Sequence, residues 1–203
     1  MKNPSDLHPS GKTHVCPWWL CFTFDNPIRR LIHDPFKILA PYVSAGSTAI
    51  DLGAGMGYFT LPLCRIVGKS GRVIAVDIQT RMLSALEKRA AKAGVSPQLA
   101  THLSGPEGIG VREKADFILT FWMLHEVPNR ENLFREIYEV LKAGGNYLLV
   151  EPKIHVNASA FALEVEAAIT AGLIVKDRPK IALSRSALFT RKEGIKPGPA
   201  GQS

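Results

Sequence analysis

The stretch "AIDLGAGMGYFT", residues 49–60, places glycines at 53, 55 and 57 after an aliphatic run and before an aromatic pair. A tight turn accounts for one or two such glycines. Three at alternate positions describe a loop whose backbone lies against a ligand. A buried strand must feed that loop and a helix must leave it, which ties the chain to an α/β architecture.

The remaining pattern agrees. Residues 48–52 form a short apolar strand, and residues 58–67 read as a helix ending at Gly68. Residues 73–76, closed by Asp77, are a second strand. Thr80 is placed to cap a helix with the stripe Met82, Leu83, Leu86 and Ala90, stopped by Gly94. Residues 97–103 give a third strand and 116–121 a fourth, apolar throughout and so covered on both faces. Asn129 caps a helix carrying Leu133, Ile137, Val140 and Leu141, with Gly144-Gly145 as its stop signal. Residues 147–150 are a fifth strand, 158–171 a helix stopped by Gly172, and 173–176 and 181–189 two final strands. The expected fold is α/β: a Rossmann-like, doubly wound, mostly parallel seven-stranded sheet with helices on both faces. It spans residues 47–190, behind an N-terminal segment with helices (1–46) and ahead of a Gly/Pro tail (191–203) expected to be disordered.

Composition narrows the function classes. A chain of 203 residues, 46% hydrophobic and 21% charged, suits one globular domain with a full core. No run of 18 apolar residues occurs, so no membrane span is expected. The start, "MKNPSDLHPSGKTH", lacks the apolar centre of a signal peptide, which points to the cytoplasm. Cys16, Cys21 and Cys64 are too few for a disulfide scaffold and too scattered for a CxxC metal site, so no metal is expected. Their number evokes a thiolate-held metalloid substrate, but the spacing matches no such motif. The net charge of +7 is diffuse: Arg29-Arg30, Lys88-Arg89 and Arg191-Lys192 are the only adjacent basic pairs. No basic run is interleaved with stacking aromatics, so nucleic acid is not the favoured partner.

Three familiar motifs fail. The dinucleotide fingerprint G-x-G-x-x-G needs glycine where Tyr58 stands. A P-loop ending at Gly68-Lys69-Ser70 would begin at Leu63 instead of glycine. His125-Glu126 opens a zinc H-E-x-x-H, but Asn129 holds the second histidine position and Pro128 interrupts the helix.

What fits is D-x-G-x-G-x-G from Asp51 to Gly57, followed by an acid ending the next strand in "VIAVD". With "DFILTFWMLHEV" and "LKAGGNYLLVEP" in order, residues 45–152 resemble the class I S-adenosylmethionine-dependent methyltransferases, in particular the small subgroup labelled methyltransferase type 11. The segment "HVCPWWLCFTFDNPIRRLIHDPFKIL" is similar to one found in a bacterial and archaeal branch of that family. The resemblance implies S-adenosylmethionine as cofactor, with Gly53, Gly55 and Gly57 admitting its amino-acid end. Asp51 then faces the ammonium and Asp77 accepts both ribose hydroxyls, with Ile78 against the adenine. A bland role stays open to each acid: Asp51 as a turn cap, Asp77 as a helix N-cap. The family places an acid near the adenine amine after the third strand; here Ser104 stands there, with Glu107 three residues later. Thr120 and Phe121, ending the fourth strand, stand where the family lines the methionine arm, and Phe121 reads equally as core.

Methyl transfer needs positioning and water exclusion, and a base only where the nucleophile bears a proton. His125, Glu126, Glu151 and His155 fall just after the fourth and fifth strands, on the expected ligand rim. His125, with Glu126, is the candidate for proton transfer, or else orients the loop before Pro128. Glu151 is a candidate substrate contact, or an anchor for its strand end. Trp18 and Trp19, with Phe22 and Phe24, either form a lid over the cleft and contact substrate or cover the outer face of the sheet. The implied function is methyl transfer to a small-molecule acceptor. The alternatives are a catalytically silent cofactor-binding subunit and a nucleic-acid or protein methyltransferase. Nothing in the sequence indicates an oligomeric state.

Overall fold

The computed structural model describes residues 32–105 and 108–192. The readings made for Trp18, Trp19, Cys16, Cys21, Glu107 and the Gly/Pro tail fall outside these residues. A short helix α1 (Pro35–Leu39) is followed by β1 (Thr48–Leu52), α2 (Thr60–Val67), β2 (Arg72–Asp77), α3 (Thr80–Ala93), β3 (Leu99–Leu103), β4 (Ala115–Phe121), α4 (Arg130–Val140), β5 (Leu141–Pro152), α5 (Ala158–Thr170), β6 (Ile174–Asp177) and β7 (Ser184–Thr190).

All seven strands lie in one sheet, ordered β3-β2-β1-β4-β5-β7-β6. The first five are parallel; β7 enters antiparallel between β5 and β6. The order reverses between β1 and β4, and a crevice opens there at the carboxyl ends of the strands. Side-chain alternation divides the core in two. On β4 and β5, Ile118, Tyr147 and Leu149 face α4 and α5, packing on Phe134, Ile137 and Phe161. Phe117, Leu119, Leu148 and Val150 face the other way, onto Leu39, Leu63 and Val67. With both faces covered, β4 has to be apolar along its whole length.

Two local readings are corrected. Gln79, not Thr80, is the N-cap of α3, and Thr80 is its first helical residue. Gly144-Gly145 does not stop α4; the helix ends at Val140 and the chain becomes extended at Leu141. The missing stop is a distant side chain: Arg191, just past β7, donates from Nη1 to the carbonyls of Tyr138, Glu139 and Leu141. Gly144, at φ 74°, lies within β5 where its register against β4 shifts, its N–H donating to Arg191 O at 2.8 Å. Asn129 caps α4 as expected, accepting from Asn132 N at 3.0 Å. Replacing it (Asn129→Ala) should cost about 1 kcal/mol, read as a lower midpoint in urea with an unchanged slope.

Candidate functional site

The glycine loop leaves β1 and turns at the switch point. Gly53, Gly55 and Gly57 all have positive φ (73°, 53° and 88°), where a side chain is strained. Their surroundings differ. A Cβ on Gly57 would collide with Leu86 Cδ1 of α3, and one on Gly53 would lie 2.9 Å from Met123 Cγ. At Gly55 nothing lies within 4 Å. Only this middle glycine therefore faces open space; the outer two make room for the protein itself.

Two buried carboxylates flank it. Asp77, 8% exposed, accepts from Gly55 N and from Gln79 N, both at 2.9 Å, and so fixes the loop to the end of β2. Asp51, 3% exposed, accepts from the Thr60 hydroxyl at 2.6 Å. Burial pushes Asp51 up to about 7, against the Thr60 hydrogen bond and aided by the charge of Asp77. Burial likewise raises Asp77, against its backbone hydrogen bonds. No described lysine or arginine forms an ion pair with either acid.

The other residues expected at this site divide. Ile78 is half exposed beside Asp77, and Ser104 N donates to Asp77 O at 3.0 Å, so the ends of β2 and β3 meet there. Phe121 packs at a tilt against Phe59, with ring centroids 4.2 Å apart, and against Trp122, and meets the His33 ring edge-on, forming an aromatic wall. Thr120 turns inward: fully buried, its hydroxyl shares a 2.8 Å hydrogen bond with Tyr147, so its side chain serves the sheet interior.

A second polar cluster sits after β4 and β5. Glu151 is fully buried and accepts from Leu124 N at 3.0 Å and His125 N at 3.3 Å, and its Oε2 lies 2.6 Å from His125 Nδ1. His155 stacks on His125, with ring centroids 5.4 Å apart. Arg130 clasps the same loop, donating to the carbonyls of Leu124 and His125 and lying 3.9 Å from Glu164. Glu126 is exposed on the same turn.

The hydrogen bond to Glu151 raises His125 above the usual histidine range, against burial, with further help from the charges of Glu151, Glu126 and Glu164. A raised histidine stabilises the fold fully below its unfolded value near 6.5, and that contribution is lost as pH rises through the folded value. Glu164 is itself pushed up to about 7, by burial first and Glu151 second. Among the described residues no cluster of three His, Cys, Asp or Glu could hold a metal ion, and no helix is long and apolar enough to cross a membrane.

Thr60, Arg130 and Glu164 carry this geometry and were not singled out from sequence. Glu164 left a trace, as an acid on the inward stripe Phe161, Val165, Ala168 of α5.

Residues 49–145 match the family model described as "Methyltransferase domain". That span carries a methyltransferase domain of the class I S-adenosylmethionine-dependent type. S-adenosylmethionine is the cofactor of that family, and the open glycine between two buried acids sits within the methyltransferase domain. The chain is 31% identical over 117 residues to the ubiquinone/menaquinone biosynthesis C-methyltransferase UbiE of Klebsiella pneumoniae, covering 57% of this chain and 47% of that one. It is 28% identical over 109 residues to the demethylmenaquinone methyltransferase of Oceanobacillus iheyensis, covering 54% and 46%. The matches thus span about half the length of these relatives. Among solved structures, a SAM-dependent methyltransferase from Aquifex aeolicus shares the fold, with a TM-score of 0.76 at 22% identity over 85% of this chain and 97% of that one.

Two outcomes follow from the methyltransferase domain's geometry. Gly57→Ala must displace Leu86 and should cost about 1–3 kcal/mol, whereas Gly55→Ala, with room for its methyl, should lose only about 1 kcal/mol to backbone strain; denaturant melts of the two variants compare them. NMR titration of the imidazole should give His125 a pKa above 6.5 that falls towards that value in Glu151→Gln.

Proposed function

We propose that this chain transfers a methyl group from S-adenosylmethionine to a small-molecule acceptor in the cytoplasm. The observation that carries the reading is the pairing of Asp51 and Asp77, two buried acids close enough to interact and without a cationic partner among the described residues, the second bonded to the amide of the open Gly55. Such a cradle suits a ligand with a cationic end and a diol. Asp51 has a free oxygen to accept from an ammonium, since its other one holds Thr60. Asp77 accepts from Gly55 N at one oxygen and from Gln79 N at the other, and a carboxylate oxygen has a second lone pair to offer a ribose hydroxyl. Ile78 offers an apolar surface to the adenine and Ser104 a polar group beside it, while Phe121 and Trp122 wall the methionine arm.

Bound there, the sulfonium supplies an electrophilic methyl group and departs as a neutral thioether that needs no proton. The protein's remaining task is the acceptor. An acceptor carbon, oxygen or nitrogen that bears a proton must lose it as the new bond forms. His125 is suited to take it at Nε2, because Nδ1 is committed to Glu151 and Nε2 bonds to no described residue. Glu151 acts as the positioning residue: it fixes the ring and both backbone amides of the turn at once, and Arg130 closes the turn from the carbonyl side. The relatives named as a ubiquinone/menaquinone biosynthesis C-methyltransferase and a demethylmenaquinone methyltransferase favour a small-molecule acceptor.

The cofactor half of the proposal has a test that needs no acceptor. Ionised Asp51 is required to meet an ammonium, and it titrates at about 7. Calorimetric affinity for S-adenosylhomocysteine should rise as pH goes from 6 towards 7.5, and Asp51→Asn should bind more weakly with no such rise. Equal affinity for the two proteins across that range would remove Asp51 from the site.

A further inference from the structure

The rim beyond His125 holds a cavity that the cofactor does not need. It measures about 450 Å³ and lies where the end of β5 meets the β6–β7 loop. Phe161, Pro179 and Ile181 give it an apolar floor. Lys153, Arg178, Lys180 and Arg185 also line it, four cations on one concave surface. None of the four forms an ion pair with a described carboxylate. Asp177, the adjacent acid, accepts from Arg178 N at 2.7 Å. Asp34 shares a neighbouring cavity with Lys180, but its carboxylate caps α1 and meets Lys37. Four like charges around one concave surface focus a positive potential there, which draws an anion.

The pocket is also rigidly built and joined to the rest of the site. Arg185 Nε donates to Val156 O at 3.0 Å, fixing the guanidinium while its terminal nitrogens stay available. Lys153 N donates to Leu183 O at 3.0 Å, and Pro152 pairs with Ser184, so the two loops that form the walls are laced together. Ser184 lines the cavity and accepts from the Trp122 indole at 2.9 Å, and Trp122 directly follows Phe121 of the aromatic wall. Lys153 stands two residues beyond Glu151, which holds His125. Cavity and proton acceptor thus share the carboxyl rim of β4 and β5.

We infer that this cavity is the acceptor subsite and that it takes a soluble molecule with an anionic group, a carboxylate or phosphate, attached to a flat apolar body. The inference rests on the methyl-transfer reading above and supplies the substrate class that reading lacks. The cations hold the anionic group, Phe161 and Ile181 cover the body, and the far end reaches towards His125. An acceptor of this kind differs in charge from an uncharged quinone, which would leave all four cations unanswered.

Calorimetry on the full chain, with and without S-adenosylhomocysteine, tests it with phenyl phosphate as probe and phenol as control. Phenyl phosphate should bind saturably and lose affinity as salt is raised, and phenol should bind far more weakly. The double variant Arg178→Gln, Lys180→Gln changes two exposed side chains that make no hydrogen bond, so it should fold normally. It should weaken phenyl phosphate about tenfold or more and leave S-adenosylhomocysteine affinity unchanged. Equal affinity of wild type and variant, or phenol binding as well as phenyl phosphate, overturns the inference. So does binding only to phosphatidylglycerol vesicles, which would mark a lipid surface instead of a pocket. Failure of S-adenosylhomocysteine to bind wild type would overturn the cofactor reading separately, with the phenyl phosphate titration still reporting on the anion site.

Discussion

Asp77 is the fastener on which the crevice depends. One carboxylate oxygen takes the amide of Gly55 and the other the amide of Gln79, so the loop after β1 and the start of α3 are pinned to one strand end. Gly53 N and Ala54 N add bonds to Val76 O, the carbonyl just before it. A loop with three positive-φ glycines has little intrinsic preference for one shape. Its shape comes from these bonds, and burying an acid is offset by the amides it accepts.

Glu151 repeats the device on the other side of the switch point. It too is buried at a strand end and organises the loop after a neighbouring strand, again through backbone amides. The consequence differs. Asp77 holds a loop that opens outward at Gly55, whereas Glu151 also takes a side chain and so sets the orientation and basicity of His125. Arg130 and Glu164 complete this second anchor. Arg130 is shared between the carbonyls of the turn and Glu164, which explains how so many charged groups coexist in a small volume.

The sequence made the glycine loop legible because its neighbours are local. β1, the loop and α2 follow one another within twenty residues, and the acid of β2 comes at a spacing set by one crossover. The same locality gave Asn129 as a cap, since its partner is three residues away. Misreadings arose where the partner is distant. Gly144-Gly145 looked like a helix stop because nothing local shows that Arg191 binds the last carbonyls of α4 from some fifty residues away. Thr120 looked like a ligand contact because strand position does not tell which face a residue takes until Tyr147 is placed beside it.

By itself, then, the chain's sequence determined the order of its elements, the α/β class and the loop at the head of the sheet, all products of hydrophobic period and backbone freedom. Tertiary structure decided which of three similar glycines faces open space. Leu86 and Met123 fill the room beside Gly57 and Gly53, and packing between distant elements is not written in local spacing. It likewise decided that Lys153, Arg178, Lys180 and Arg185 share one cavity. They look scattered along the chain and meet only because β7 returns antiparallel beside β5, bringing the β6–β7 loop back to the rim of the site.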